Sequence, residues 1–448
     1  MPNFSQSTSP PKSVRASDWT YQSSIGIDVH CKILVCCYQR LNPSDNSLIE
    51  ERAEFPTGIQ GIQKFAAWCV SKKPDIVMME STGVLWNTPY EALEKAGFKS
   101  SQLALVNARD VKGRTGHKTD RNDAENLAML ARLNAFRKSF VPAREFRKIR
   151  LIARGYVTAR RDFAKQKNRY QKTLNALGCR AGSVFSDIHG TTARMILHAF
   201  LFETKETFAD VVREKSRRLK ATPEQIFDAL RNIDDPEMIW LAKTHFKEAE
   251  HLGKLCERYL AKLRNLLKPY KRHLDLLMSI PGINETAALL ILAETGNDLS
   301  SFPSIEKFCS WIAVCPGNKI SAGKSYSGHT ARGNKYLRQV LTEVAQGISL
   351  SVKRKGFLWQ KFQTWKEKRG TKRAVVATAH LVARIIFALF RKGQAYEERY
   401  TNILQQHRLK KIVRDARSAG ILFKNSEVYD KNRFFPFLCE RVVETLVY

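Results

Sequence analysis

Between residues 23 and 107 the apolar positions switch repeatedly between the two-residue period of a strand and the three-to-four-residue period of a helix. "SSIGIDVH" and "KILVCCYQ" read as two strands joined by a short turn, and "EERAEFPT" as a third. "GIQGIQKFAAWCVSKK" has helical spacing, "PDIVMME" is a short apolar run ending in an acid, and "TPYEALEKAG" is a helix stopped at Gly97. "SQLALVN" closes the series as another buried strand. A hairpin-like strand series followed by strand–helix alternation predicts a mixed α/β sheet with helices on both faces.

From 144 to 178 the spacing predicts one long helix, apolar at Ile149, Ile152, Tyr156, Phe163, Tyr170, Leu174 and Leu177. Eleven Arg or Lys lie between Arg144 and Lys172, against Glu145 and Asp162 alone. The solvated face of a coiled coil usually mixes signs. This one therefore reads as a basic arm that docks a phosphate backbone, with Arg150, Arg154, Arg160, Arg161 and Lys165 as its contacts. Helical spacing continues to Tyr270, ending in "EAEHLGKLCERYLAKLRNLLKPY", which is placed to return antiparallel to the arm. Beyond it, "LLMSIPGINETAALLILAETGND" has the Pro-Gly turn and small-residue helix of a helix-hairpin-helix, although Asn284 stands where a second Gly is common. An ordinary helical hairpin fits the same stretch. A Gly/Ser/Lys-rich loop follows from 316 to 334, then helices to about 400 and a mixed tail. The expected organisation is a disordered tail (1–22), an α/β domain (23–143), a helical arm (144–272), a mainly α domain (273–400) and an extension (401–448).

Charge changes the picture next. The 448 residues carry 75 Lys and Arg against 43 Asp and Glu, a net charge of +32. A polyanion partner explains such an excess, because basic side chains release counterions condensed on phosphates. A membrane-binding face competes poorly, since the charge is spread along the chain and apolar runs such as "IIFALF" fall far short of the ~20 residues that span a bilayer. The N-terminal stretch lacks the apolar core of a secretion signal. Nine cysteines without a C-x-x-C pair, mostly in apolar segments, read as reduced thiols of a cytosolic protein. His30, Cys31 and His117 are a poor metal set by spacing.

The acids are fewer and more pointed. Asp28 ends the strand "SIGID", Glu80 ends "IVMME", and Asp120 and Asp123 stand at i and i+3 at the start of a helix. Each has a plain explanation alone, as a turn residue, an N-cap or a first-turn acid. Two strand ends and one helix start nonetheless bring four carboxylates towards one sheet edge, beside His117, Lys118 and Arg121. Converging anions are costly unless a cation neutralises them, and oxygen-only donors suit Mg²⁺ or Mn²⁺.

"GIDVHCK", "MESTGVLW" and "KTDRNDAENLA" resemble the three blocks of the RuvC-like domain in DEDD transposases of the one-hundred-and-ten insertion-sequence family, which is related to Piv-type invertases. "SIPGINETAALLILAETGN" and "GNKYLRQVL" resemble that family's C-terminal transposase domain. The resemblance implies a ribonuclease-H-like first domain, a fold that the strand order also fits, and a catalytic set of Asp28, Glu80, Asp120 and Asp123 holding Mg²⁺ or Mn²⁺. It also implies a nucleophilic serine in "PGNKISAGKSYSGHTARGNKYLR", where Ser321 matches best and Ser325 and Ser327 are substitutes. The family's adjacent serine and glycine are replaced here by Ile320 and Ala322. Lys319, Lys324, Arg332, Lys335 and Arg338 supply basic neighbours.

The expected activity is transposition: the serine attacks a DNA phosphodiester, forms a phosphoserine, and rejoining conserves the bond energy. The resemblance implies a structured bridge RNA that pairs with donor and target DNA, and joining two sites implies a dimer or tetramer. Two rivals make different demands. A junction-resolving nuclease would use the same acids with water, and a silent nucleic-acid-binding protein would survive loss of Asp28 or Glu80.

Overall fold

The structure is a computed structural model. It describes residues 21–42, 44–45, 47–81, 83–107, 120–230, 235–315, 319–321, 324–327, 330, 332–351 and 356–398, with three short strands between 422 and 435. Of 120–121, 319–321, 324–327 and those last strands it describes the backbone alone. His117 and Lys118 lie outside the described residues. The chain divides into two compact units, Met1–Arg144 and Glu145–Tyr448.

The first unit is built on five strands, β1 (Ser23–Val29), β2 (Ile33–Leu41), β3 (Leu48–Pro56), β4 (Ile76–Glu80) and β5 (Leu103–Val106), in the order β3-β2-β1-β4-β5. The first three pair antiparallel through short turns, whereas β1, β4 and β5 run parallel. Parallel neighbours need crossovers, and the helices α1 (Ile59–Lys72) and α2 (Asn87–Lys95) provide them. Strand alternation then sorts the residues. Ile25, Ile27, Val77 and Met79 point to one face and bury Phe65, Cys69, Tyr90 and Leu93 of the two crossover helices. Ile76, Met78, Val35 and Cys37 point to the other, where a third helix, α3 (Asp120–Arg132), packs through Ala124, Leu127, Ala128 and Ala131. The mixed sheet with helices on both faces is therefore present.

The second unit is helical. Its arm, α4 (Arg144–Ala176), is followed by the short helices α5 (Ala181–Val184), α6 (Thr191–Phe202), α7 (Lys205–Lys215) and α8 (Pro223–Ala229), then by α9 (Pro236–Leu267). The contacts along the arm run in reverse order. Gly155 faces Tyr259, Phe163 faces Gly253, and the Gln166 side-chain amide lies 2.7 Å from His245 Nδ1, so α9 returns antiparallel along α4. At the far end Tyr170, Leu174, Ile196, Leu197, Val212, Ile226 and Phe246 form a separate apolar core.

His189 sits on that core, with its ring 5.6 Å from Tyr170. Burial, aided by Lys167, pushes its imidazole down to about 4, while an unfolded chain titrates near 6.5. A depressed value contributes stability that is complete above ~6.5 and is lost as the pH falls towards 4. After allowance for partial exposure the loss is on the order of 1–2 kcal/mol. Thermal midpoints measured down to about pH 4.5 should fall less in His189→Phe than in wild type, and equal falls would remove His189 as the cause.

Past the arm come α10 (Lys271–Met278), α11 (Glu285–Thr295), α12 (Ile305–Ile312), α13 (Lys335–Leu350), α14 (Phe357–Arg369) and α15 (Thr371–Lys392). The turn between α10 and α11 needs Gly282, whose φ is +91° and whose missing Cβ leaves room for Ile348. Asn284 serves as N-cap of α11, accepting from the Ala287 amide at 2.9 Å. Contiguous apolar runs are short, yet α15 is long and apolar enough over its 22 residues to cross a membrane by length and composition. Instead it packs on α12, α13 and α14, burying Val382, Ala383 and Ile386, with Phe387 against Phe308. Run length misses such a helix because His380 and Arg384 interrupt its apolar face.

Candidate active site

β1 reads Ser24, Gly26, Asp28 on the face covered by α3. The Ser24 hydroxyl donates to the Ala128 carbonyl at 2.7 Å. A Cβ on Gly26 would stand 2.1 Å from the Ala124 carbonyl oxygen and 2.3 Å from the Ala128 nitrogen, so the helix backbone lies directly on this glycine. Ala128 is thus level with Ser24–Gly26, and Ala124 with Gly26 and Val35. Four helical residues rise ~6 Å and two strand residues ~6.6 Å, so α3 runs antiparallel to β1 with its N-terminus over the Asp28 end. The small residues of α3 at i, i+4 and i+7 (Ala124, Ala128, Ala131) permit this close approach.

Glu80 joins from the neighbouring strand. The β1–β4 register pairs Gly26 with Met78 and Ile27 with Met79, which sets Asp28 and Glu80 one step further on, at the C-terminal ends of adjacent parallel strands. Asp28, Glu80 and Asp123 are all partly buried, with 13% of the Asp28 side chain exposed. His30 Nε2 lies 3.0 Å from Asp28 Oδ2, so a histidine with little claim by spacing is the partner of the first acid. Its signal was the i+2 spacing at a strand end. At the outer edge of α3, Glu125 pairs with Arg52 at 2.5 Å.

The described acids at this edge, Asp28, Glu80 and Asp123, offer carboxylate oxygens, with the His30 imidazole beside the first, donors of the kind that suit a hard divalent cation. Among the described residues no three His, Cys, Asp or Glu side chains form a group able to hold a metal ion. Of Asp120 and Arg121 only the backbone is described, at the first two positions of α3. The eight described cysteines are free, and burial pushes the Cys36, Cys37 and Cys69 thiols up.

In the second unit the serine stretch forms a small hairpin, Lys319–Ser321 against Lys324–Ser327, in which Ser321 pairs with Lys324 and Ile320 with Ser325. Ser321 thus stands at the tip and Ser327 at the base. Arg332 and Lys335 are exposed, and Arg338 is half-buried.

The arm cations divide. Arg150 is buried against Glu294, with its Nε 3.3 Å from Oε2 and its Nη2 donating to the Glu294 carbonyl at 2.5 Å. Burial pushes its guanidinium down to about 10. Arg154 grips Glu294 with two bonds of 2.7 and 3.1 Å and lies over the Tyr336 ring. Both were expected to contact phosphate. In the structure both instead engage one buried acid far along the chain, whose single charge balances one of the two guanidiniums. Arg160 bonds Glu343 at 2.8 Å on the surface. Arg161 and Lys165 are exposed, and among the described residues their ion-pair partner is the neighbouring Asp162, at 4.0 and 3.6 Å.

One basic cluster was overlooked. "KEKRGTKR", at the turn between α14 and α15, exposes Lys366, Lys368, Arg369, Lys372 and Arg373 against a single Glu367, and none of the five makes an ion pair among the described residues. Lys372 and Arg373 occupy the first turn of a helix, where the dipole disfavours cations and no acid offsets them.

Two family models match this chain. The one described as "Transposase IS116/IS110/IS902 family" matches residues 274–357, which include the serine hairpin. A second, a DEDD-type model described as "Transposase", matches residues 25–178, which include Asp28, Glu80, Asp120 and Asp123. Between them they cover more than half of the chain. The chain belongs to the IS110 transposase family. Among curated members it is 34% identical over 122 residues to the "Transposase for insertion sequence element IS1111A" of Coxiella burnetii, covering 26% of this chain and 33% of that protein. It is 29% identical over 176 residues to the "Putative transposase y4pF/y4sB" of Sinorhizobium fredii, covering 37% of this chain and 44% of that one. The chain thus spans between a third and under half of the length of these curated relatives. Most of the helical core at the far end of the arm, from Cys179 to Phe246, lies between the two matched stretches, whereas Tyr170, Leu174 and Leu177 lie inside the first.

Proposed function

We propose that this protein is an insertion-sequence transposase that cuts and rejoins DNA. The observation that carries the reading is the placement of the α3 N-terminus over the end of β1, with Glu80 in register alongside. That placement, together with the strand order, supports a ribonuclease-H-like domain whose acidic set is Asp28, Glu80, Asp120 and Asp123. A divalent cation held by these carboxylates would neutralise them and polarise the phosphodiester. His30 holds Asp28 in one orientation. Ser321, with Ser325 and Ser327 as substitutes, supplies the nucleophilic oxygen. As its Oγ–P bond forms, the P–O bond to a DNA oxygen breaks, the serine proton is lost to solvent and the leaving oxygen takes one up as a hydroxyl. A DNA hydroxyl later reverses the step, so no bond energy is lost.

A bridge RNA that base-pairs with donor and target DNA fits the net charge of +32, and a dimer or tetramer fits the need to hold two DNA sites. The backbone of these nucleic acids would lie on Arg161, Lys165, Arg332, Lys335, Arg338 and the 366–373 turn, with Lys118, Arg121 and Lys324 as further contacts. Neutralising Lys366, Lys368 and Lys372 to Gln should flatten the slope of log affinity against log salt by roughly 1–3. Arg154→Gln should leave that slope unchanged, and a slope indifferent to the triple variant would remove the turn from the interface.

Trapping a covalent adduct tests the chemistry. Protein, co-purified RNA and end-labelled DNA are incubated with Mg²⁺ and denatured. We expect an adduct that is lost in Ser321→Ala, or in Ser325→Ala or Ser327→Ala if a substitute reacts. Cleavage without any adduct, undiminished in all three, would make the protein a hydrolytic resolvase. Binding without cleavage, unaffected by Asp28→Asn, would make it a silent binder.

A further inference from the structure

The loop that carries the serine hairpin leaves the helical core at α12 and re-enters it at α13. Its two ends meet. Ala313 turns the chain out of α12 with φ +64°, and Gly333 comes back so close that a Cβ would lie 2.3 Å from the Trp311 carbonyl oxygen. The Asn334 amide then donates to that same carbonyl at 2.9 Å. Asn334 caps α13, its Oδ1 accepting from the Tyr336 and Leu337 amides, both at 3.1 Å. Its Nδ2 donates to Glu294 Oε2 at 2.7 Å.

Glu294 is 2% exposed, on the last turn of α11, and it is the hub of this joint. Its carboxylate takes Arg150 and Arg154 from the arm on one side and Asn334 from the loop exit on the other. Arg154 continues onto the Tyr336 ring at 4.6 Å, and Arg160 ties the next turns of arm and α13 through Glu343. A buried carboxylate facing two guanidiniums is costly to leave half-made, and removing one partner leaves an uncompensated charge. A merely filled core would use an apolar residue at this position in "LLILAET".

We infer that Glu294 is a positioning residue, locking the base of the serine loop to the arm through Asn334 so that the nucleophile is held where the arm's nucleic acid places the scissile strand. The inference rests on the serine reading for its consequence, but the joint itself can be tested apart from it.

Three variants suffice. Asn334→Ser keeps a capping oxygen but cannot reach Glu294. Glu294→Gln keeps the shape and removes the charge. The double variant Glu294→Gln with Asn334→Asp reverses the bond, since the Gln amide nitrogen now donates to the Asp carboxylate, which still caps α13, while the Gln carbonyl oxygen still accepts from Arg154. Backbone exchange is measured over 330–337, beside DNA affinity and the rate of adduct formation. Each single variant should speed exchange there and slow adduct formation by on the order of 10²-fold with affinity unchanged, and the double should restore both. Exchange at the wild-type rate in Asn334→Ser, or no restoration in the double, overturns the inference. If Ser321→Ala forms adduct normally, the serine reading fails instead, and the exchange data alone still decide whether the joint holds.

Discussion

Asp28→Asn should lower DNA cleavage by about 10²–10³-fold, the range for losing one preorganised electrostatic group. Asn preserves the shape and can keep a partner for His30 Nε2, now at 3.0 Å from Oδ2, so the loss would come from the charge. The sign of the stability change separates this reading from a structural one. In the absence of divalent ions the wild type gathers acids at one sheet edge, and like charges repel. Removing one should therefore raise the thermal midpoint. Adding Mg²⁺ should then raise the wild-type midpoint by mass action and leave the variant unmoved. A variant that melts lower and still responds to Mg²⁺ would mean that Asp28 is only a strand-end residue.

Gly26→Ala should be as damaging without touching an acid. The new methyl would stand 2.1 Å from the Ala124 carbonyl oxygen and 2.3 Å from the Ala128 nitrogen, both backbone atoms that no rotamer change can move. The helix must lift from the sheet, which costs about 1–3 kcal/mol or more. Lifting α3 also carries Asp120 and Asp123 away from the end of β1, and a misplacement of ~1 Å can reduce rate on the order of 10²-fold. Gly58→Ala is the control, because no atom lies within 4 Å of its added Cβ. Thermal midpoints and cleavage rates of the two variants, measured together, should separate widely. Equal behaviour would show that α3 does not depend on this contact.

Much of the fold was legible because burial leaves a local mark. The continuous apolar run of "IVMME" and the small and apolar residues of "SSIGID" mark strands buried on both sides, and the acids ending them need no neighbour to be noticed. The same reasoning found the arm helix, since a 33-residue amphipathic pattern has few other solutions. It failed where a residue's role depends on distant partners. Arg150 and Arg154 look alike to any reading of the arm's charge, and their fate turns on Glu294, some 140 residues further on. Glu294 was invisible for the same reason, being one acid in an apolar helix. The membrane-length helix has no long contiguous run because Thr378, His380 and Arg384 interrupt its apolar residues, and packing, not run length, assigns its faces.

The amino-acid order by itself thus determined the mixed strand and helix series, the acidic residues at two strand ends and one helix start, and the cationic excess. Those are properties of short windows, where a two-residue or 3.6-residue period reports burial directly. Only the tertiary structure decided that α3 runs antiparallel over β1 on a bare glycine, that His30 pairs with Asp28, and that two of the arm's five expected phosphate contacts meet at an internal joint. Each depends on which surfaces meet, and the choice among many basic side chains is made by whichever buried carboxylate the fold brings within 3 Å.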